Sequence, residues 1–372
     1  IPVPNTKGLR KSLKTPDRAT SISKAEDEVM ELRVTLKQGG SVLPMSVEGL
    51  VERFLRTKKS RVRDTWEGKD AAGRRSITKE RYELIEGKLR NYLVPFLGAK
   101  SDARSIPFSK WNEWEMWRVE SRHTRTGGRP AAITIQNEMG MIRECWKWGM
   151  ENAFLPFSPK LPFQNENLIT DDKVRRDTWE PHEWNSFARR VRDWLNTQSD
   201  GTEKQVWDAF VAYQMVFFAA NGGMRLGEIV KVKRKDIRFY EREGSNSLKT
   251  IIALVQVHPS TKTGAREVNA MGGEFAKRVW DKSEYKKKED YLFCHLDGSP
   301  FTTKQFRDLF RKMIIYTNEN ERWGKEFVPY SLRHLYATLR LQHGTTRSAL
   351  CENMGVTETY LRKHYSHYLT RL

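Results

Sequence analysis

NGGMRLGEIVKVKRKDI, residues 221–237, decides how the chain is read. It follows the apolar run VWDAFVAYQMVFFAA, residues 206–220, so a buried helix is expected to stop at Gly222-Gly223 and to deliver one arginine, Arg225, among apolar neighbours. An unpaired buried charge costs several kcal/mol, so this arginine needs an anion. Glu228, three residues on, can supply it and make Arg225 structural. Alternatively the planar guanidinium can grip two phosphate oxygens at once.

Downstream, KTIIALVQVHP (249–259) and AREVNAM (265–271) are rich in β-branched residues and flank the turn STKTG, which predicts a small sheet amid helices. That turn holds Lys262, which taken alone is an ordinary exposed turn lysine. VPYSLRHLYATLRLQHG (328–344) then opens an amphipathic helix with Arg333 and His334, Leu332, Tyr336 and Leu339 facing inward. The last segment, ENMGVTETYLRKHYSHYL (352–369), carries Tyr360, Tyr365 and Tyr368 on a basic helix after Gly355. Its His364 and His367 have metal-ligand spacing but no third ligand, so no metal site is expected. Residues 348–365 also read as a helix-turn-helix with a basic second helix.

Upstream, FLPFSPKLPFQNENLITDDK (154–173) holds three prolines and no helical period, and reads as a linker. Before it lies a helical bundle. Ser46 caps a helix with Val47, Leu50, Val51, Phe54 and Leu55 on one face, and Thr78 caps a second that ends at Pro95 and Gly98. Trp111, Trp114 and Trp117 mark a third helix, SKWNEWEMWRVESR, and residues 133–154 a fourth. Residues 1–24 carry six cations against Asp17, followed by the helix-like EDEVMELRVTLKQ and a stop at Gly39-Gly40. The expected organisation is a basic module over 1–40, a helical domain over 45–155, a linker over 156–175 and a second large domain over 176–372. The fold class is mainly α with a small antiparallel β-sheet, that is α+β.

Composition narrows the partner. The 372 residues hold 66 Lys+Arg against 47 Asp+Glu, a net charge of +19, which points to a polyanion and first to nucleic acid. A hydrophobic fraction of 38% with 12 Trp, 12 Tyr and 17 Phe suffices for folded cores and argues against wholesale disorder. Cys145, Cys294 and Cys351 are far apart and odd in number, which supports neither a disulfide framework nor a cysteine zinc site. No apolar run approaches the ~20 residues of a membrane span, so a cytoplasmic, nucleoid-associated protein is expected.

Arg225, then Lys262, then a helix opening with Arg333 and His334, then a tyrosine near the end: in this order and at these distances the set resembles the tyrosine recombinases, the phage-integrase family of site-specific DNA strand exchangers. NYLVPFLGAK, the Trp-rich helix and RECWKWGMENAFL are similar to that family's core-binding bundle. KSLKTPDRATSISKAEDEV looks like the end of an arm-binding module whose earlier strands would precede Ile1. The resemblance makes Arg225 and Arg333 the two phosphate-binding arginines, Glu228 the acidic support of the first, and Lys262 the hairpin lysine. Tyr365 becomes the nucleophile, nine residues after the position that follows Gly355. Two positions depart from the family. Tyr330 stands where His is usual, three before Arg333, and Val356 stands where His or Trp is usual. Deprotonation of Tyr365 is left unassigned, with His334 and His364 as candidates.

The resemblance implies cleavage and rejoining of double-stranded DNA through a 3′-phosphotyrosine, with no metal, ATP or other cofactor, by a homo-tetramer on DNA that works with bending or directionality factors. Candidate phosphate contacts, read from charge alone, are Arg61, Arg63, Arg81, Lys88, Arg143, Lys147, Lys233 and Lys235. A non-enzymatic helix-turn-helix regulator and a type IB topoisomerase are the alternatives.

Overall fold

The computed structural model describes residues 12–37, 45–63, 76–121, 128–163, 177–243, 249–258 and 265–365. The chain divides into two compact units, Ile1–Lys173 and Val174–Leu372. Among the described residues no helix is long and apolar enough to cross a membrane.

The first unit is helical. It begins with α1 (Arg18–Lys37) and α2 (Val47–Lys59). Ser46 starts α2 by accepting the Gly49 N–H at 3.0 Å, and the apolar face from Val47 to Leu55 is buried. Thr78 caps α3 (Lys79–Lys88), which continues through one wide π turn, Leu89–Leu93, into α4 (Val94–Leu97). Gly98, at φ 88°, ends the rod. The tryptophan segment differs from the single helix its sequence suggests: a tight 3₁₀ stretch, Phe108–Glu113, precedes α5 (Trp114–Ser121). Pro107 stands before the stretch, and Trp111 and Trp114 are buried together around Phe96 and Phe163. α6 (Ala132–Glu151) contributes Ile135, Met139, Ile142, Cys145 and Trp146 to the same core.

One polar cluster is sealed inside this bundle. Glu138 and Arg118 are each 1% exposed, joined by bonds of 2.8 and 3.1 Å, and Lys88 reaches the same carboxylate at 2.7 Å. The Arg118 guanidinium also lies 3.9 Å above the Tyr92 ring. Removing one partner of a buried pair strands the other charge, so Glu138→Ala is expected to destabilise the first unit by about 3–5 kcal/mol. Chemical denaturation of the protein measures it. Glu138→Leu combined with Arg118→Met, which removes the fully buried pair and leaves only the part-exposed Lys88, is expected to recover most of that loss.

The second unit is built on α8 (Glu203–Gly222), in which every residue from 211 to 220 is buried. A helix apolar all round must be surrounded, and α8 packs against α7 (Pro181–Asn196), which precedes it, and three later helices. α9 (Leu226–Ile229) is one turn long and leads to the sheet. Its strands, β1 (Ile237–Glu243), β2 (Lys249–Val257) and β3 (Arg266–Ala270), are antiparallel in the order β1-β2-β3, with Val255 opposite Ile237 on one side and Val268 on the other. The first strand is an addition to the expected pair. Its sequence, IRFYERE, buries only Ile237, so an exposed charged edge hides the usual alternation. Helices α10 (Gly273–Lys282), α11 (Thr303–Thr317), α12 (Glu319–Trp323) and α13 (Pro329–Gln342) follow, of which α10, α11 and α13 are the later neighbours of α8. The described residues close with α14 (Arg347–Met354) and α15 (Glu358–Tyr365).

Candidate functional site

The site lies where α8 ends, β3 begins and α14 turns into α15. Gly223 stops α8 in the left-handed conformation, φ 66°. A Cβ at this position would come within 2.3 Å of the Tyr336 ring, so both the backbone and the packing require glycine. Two residues later Arg225 caps α9. Its backbone N–H donates to Glu228 at 2.9 Å, and its Nη1 donates to the same carboxylate at 3.1 Å. The internal ion pair thus exists, but it leaves the Arg225 side chain 25% exposed.

Arg333, the fifth residue of α13, is 2% exposed and donates from Nη1 to Gly223 O at 2.6 Å and from Nη2 to Met354 O at 2.8 Å. It is not a surface residue. It ties the end of α8 to the end of α14.

A third arginine completes the arrangement, one that the sequence reading does not single out. Arg266, the first residue of β3, donates through Nη1 and Nη2 to the two Glu228 oxygens at 3.1 and 2.6 Å and through Nε to Asn353 O at 3.1 Å. Three successive carbonyls at the end of α14 therefore accept from three arginines: Asn353 from Arg266, Met354 from Arg333, and Gly355 from Arg225 at 3.0 Å. These carbonyls carry the negative end of the helix, which suits cations there. Gly355 adopts φ 61°, and a Cβ on it would sit 3.0 Å from the Arg266 guanidinium. The only sequence signal for Arg266 is its place just after the hairpin turn.

Glu228 is buried, which alone would raise its pKa. Hydrogen bonds from Arg266 and from the Arg225 N–H, with the charges of both arginines, outweigh this and hold the carboxyl below its ordinary range. A depressed folded pKa gives stability that is present above the unfolded value, near 4.3, and lost as pH falls through the folded one. Glu228→Gln is expected to lower stability by about 3 kcal/mol at neutral pH. The gap from wild type should narrow as pH drops below about 4.3, measured as melting temperature against pH.

Tyr330 and Tyr360 face each other, hydroxyl to hydroxyl, at 2.8 Å. Burial and the Tyr330 hydroxyl push the Tyr360 phenol up to about 12, so it stays protonated. His334 is buried, its ring set edge-on to Tyr330 at 5.0 Å, and His364 lies 4.3 Å from the Tyr360 ring. Val356 packs against the small core of Tyr336, Leu350, Met354 and Leu361, which accounts for an apolar residue there. Beside the arginines opens a cleft of about 510 Å³, lined by Met224, Leu226, Gly227, Arg307, Tyr330 and Arg333 among others. Tyr365 is the last residue of α15; its side chain lies outside the described atoms, and Lys262, His367 and Tyr368 lie outside the described residues.

The charge-selected cations fall into three groups. Arg63, Arg81 and Lys147 are exposed, and Arg61 is half-buried. Lys88 and Arg143 instead serve the fold, Lys88 on Glu138 and Arg143 on the Pro162 and Phe163 carbonyls. Lys233 and Lys235 share Glu289, at 2.9 and 2.8 Å.

Comparison with known proteins bears on the same region. Residues 193–370 match the Phage integrase family. The tyrosine recombinase XerD of Halalkalibacterium halodurans is 28% identical over 165 residues, covering 40% of this chain and half the length of that relative. Among solved structures, the XerH site-specific recombinase on its difH substrate aligns with a TM-score of 0.62 at 15% identity, over 89% of this chain and 96% of that one. The Tn1549 transposon integrase with transposon right end DNA gives 0.59 at 17%, over 88% and 98%, and a lambda integrase dimer on a core site gives 0.55 at 12%, over 87% and 95%. At such identities the structural likeness establishes the fold alone, a mainly helical chain with a small antiparallel sheet like that of these integrases. The matched family segment spans α8 through α15 and encloses all three arginines, so this part of the chain is similar to the phage integrase family, the tyrosine recombinases.

Proposed function

We propose that the protein is a site-specific DNA recombinase of integrase type that moves a phage or other mobile element. The observation that carries this is the anchoring of Arg225 and Arg333 to adjacent carbonyls, Gly355 and Met354, at the root of the helix that ends in Tyr365. Both arginines are thereby anchored to the turn that precedes the helix ending in Tyr365, which supports this reading.

In this reading the two guanidinium groups neutralise the non-bridging oxygens of the scissile phosphate and the charge that grows on the pentacoordinate transition state. The Tyr365 oxygen forms a bond to phosphorus as the bond to the 5′-oxygen breaks. The phenol proton leaves to solvent or a neighbouring base, and Lys262 gives a proton to the departing 5′-oxygen. The 3′-phosphotyrosine keeps the bond energy, so a 5′-hydroxyl of another strand reverses the step without ATP. Tyr330, in the place of the usual His, keeps a hydroxyl donor in the site. DNA is the partner that the charge of +19 suits, with Arg61, Arg63, Arg81 and Lys147 as the first phosphate contacts to test. The homo-tetramer, the arm-binding module over residues 1–40, and the domain limits at 45–155 and 176–372 belong to the same proposal.

The test is covalent capture. The protein is incubated with a random-sequence pool of nicked duplexes, and SDS-stable protein–DNA adducts are recovered and sequenced. Adducts enriched for one inverted-repeat site support the recombinase. Adducts without sequence preference, with relaxation of supercoiled plasmid, favour a topoisomerase. Tight salt-sensitive binding with no adduct favours the helix-turn-helix regulator.

A further inference from the structure

Arg266 has no assigned role, yet it is the residue through which the site's parts meet. Its guanidinium spends both terminal nitrogens on Glu228 and its Nε on Asn353 O, and the side chain is 10% exposed. Glu228 in turn holds Arg225 by two bonds, one from the backbone and one from Nη1. Asn353 is fixed a second time from β3, its Oδ1 accepting the Asn269 N–H at 2.8 Å, while its Nδ2 donates to Tyr336 Oη at 2.7 Å and Gly222 O at 3.2 Å. The flat guanidinium occupies the space that a side chain on Gly355 would need. Arg266 therefore touches the support of the first phosphate-binding arginine on one side and the turn that precedes the nucleophile helix on the other.

We propose that Arg266 is a positioning residue for strand cleavage, fixing the distance between the Arg225 clamp and the helix that carries Tyr365; this rests on the recombinase reading above. Its assignment is to positioning rather than catalysis because it bonds the carboxylate that holds Arg225 and the carbonyl that precedes the turn into α15. Lysine is a point charge that cannot span Glu228 and the Asn353 carbonyl together, so the planar fork is what the position needs.

The test uses the full chain and a nicked duplex recovered by wild-type capture. Arg266→Lys and Arg266→Ala are compared with wild type for the rate of adduct formation, for DNA affinity, and for melting temperature, with rates normalised to the folded fraction seen by near-UV circular dichroism. The expected result is a cleavage rate about 100-fold lower with affinity within about threefold, the separation that marks loss of an alignment rather than of binding. Methylguanidinium in the medium should restore part of the Arg266→Ala rate. A duplex with a 5′-bridging phosphorothiolate, whose sulfur leaves without an acid, should not restore it. Wild-type rates per folded molecule, or full recovery on the sulfur substrate, would overturn the assignment, the latter by placing Arg266 with the leaving group. If wild type itself forms no adduct, the recombinase reading falls and the proposal with it.

Discussion

Tyr365→Phe is expected to abolish the covalent adduct, with a fall in cleavage of at least ~10⁴-fold, while DNA affinity stays within about twofold. Phenylalanine keeps the ring and removes only the attacking oxygen, so folding and binding survive while the chemistry does not. The neighbouring tyrosines sharpen the result. Tyr360 is committed to Tyr330 and held protonated, its phenol pushed up to about 12, so Tyr360→Phe should retain the adduct. Tyr368→Phe should retain it too. An adduct that survives Tyr365→Phe and disappears with Tyr368→Phe would shift the nucleophile by three residues and reopen the alignment around Val356. Gel electrophoresis of the adduct after a fixed incubation separates these outcomes.

Arg333→Ala is the second change with a large expected effect, and it acts on two measurable quantities. Catalysis should fall by about 10³-fold, the scale set by removing a donor that stabilises transition-state charge. Stability should fall as well, by about 2–4 kcal/mol, since the substitution leaves the Gly223 and Met354 carbonyls without their donor and opens a cavity in a site 2% exposed. Arg333→Lys restores a charge but cannot bridge both carbonyls, so it should recover part of the stability and little of the cleavage. Melting temperature and adduct rate on the same samples distinguish this from a purely structural arginine, for which the folded fraction alone would account for the lost activity.

Much of the arrangement is legible in the sequence because its signals are local. Ser46 and Thr78 accept backbone N–H groups as their positions before apolar periods suggest, and Gly223 and Gly355 adopt the left-handed turns that end α8 and α14. Arg225 stands just before α9, Arg333 lies near the start of α13 and Tyr365 ends α15, positions that follow from local helix signals. What escapes the sequence is long-range. Arg266 meets Asn353 across 87 positions, and nothing near either residue announces the pair. Lys88 and Arg143 look like solvent-facing cations until Glu138 and the Pro162 and Phe163 carbonyls come near them through folding. Strand β1 escapes for the opposite reason: its partners are close, but its exposed charges carry no period to read.

The three carbonyls of Asn353, Met354 and Gly355 turn the last part of the chain into a measured length. Each residue of a helix advances about 1.5 Å and rotates about 100°. With the root of α15 pinned by three arginines, one residue inserted or deleted between Gly355 and Tyr365 swings the tyrosine to another side of the helix. Substitutions along α15 change its surface, whereas a change in its length changes which way its final side chain points. This stretch should therefore accept many sequences and a single count.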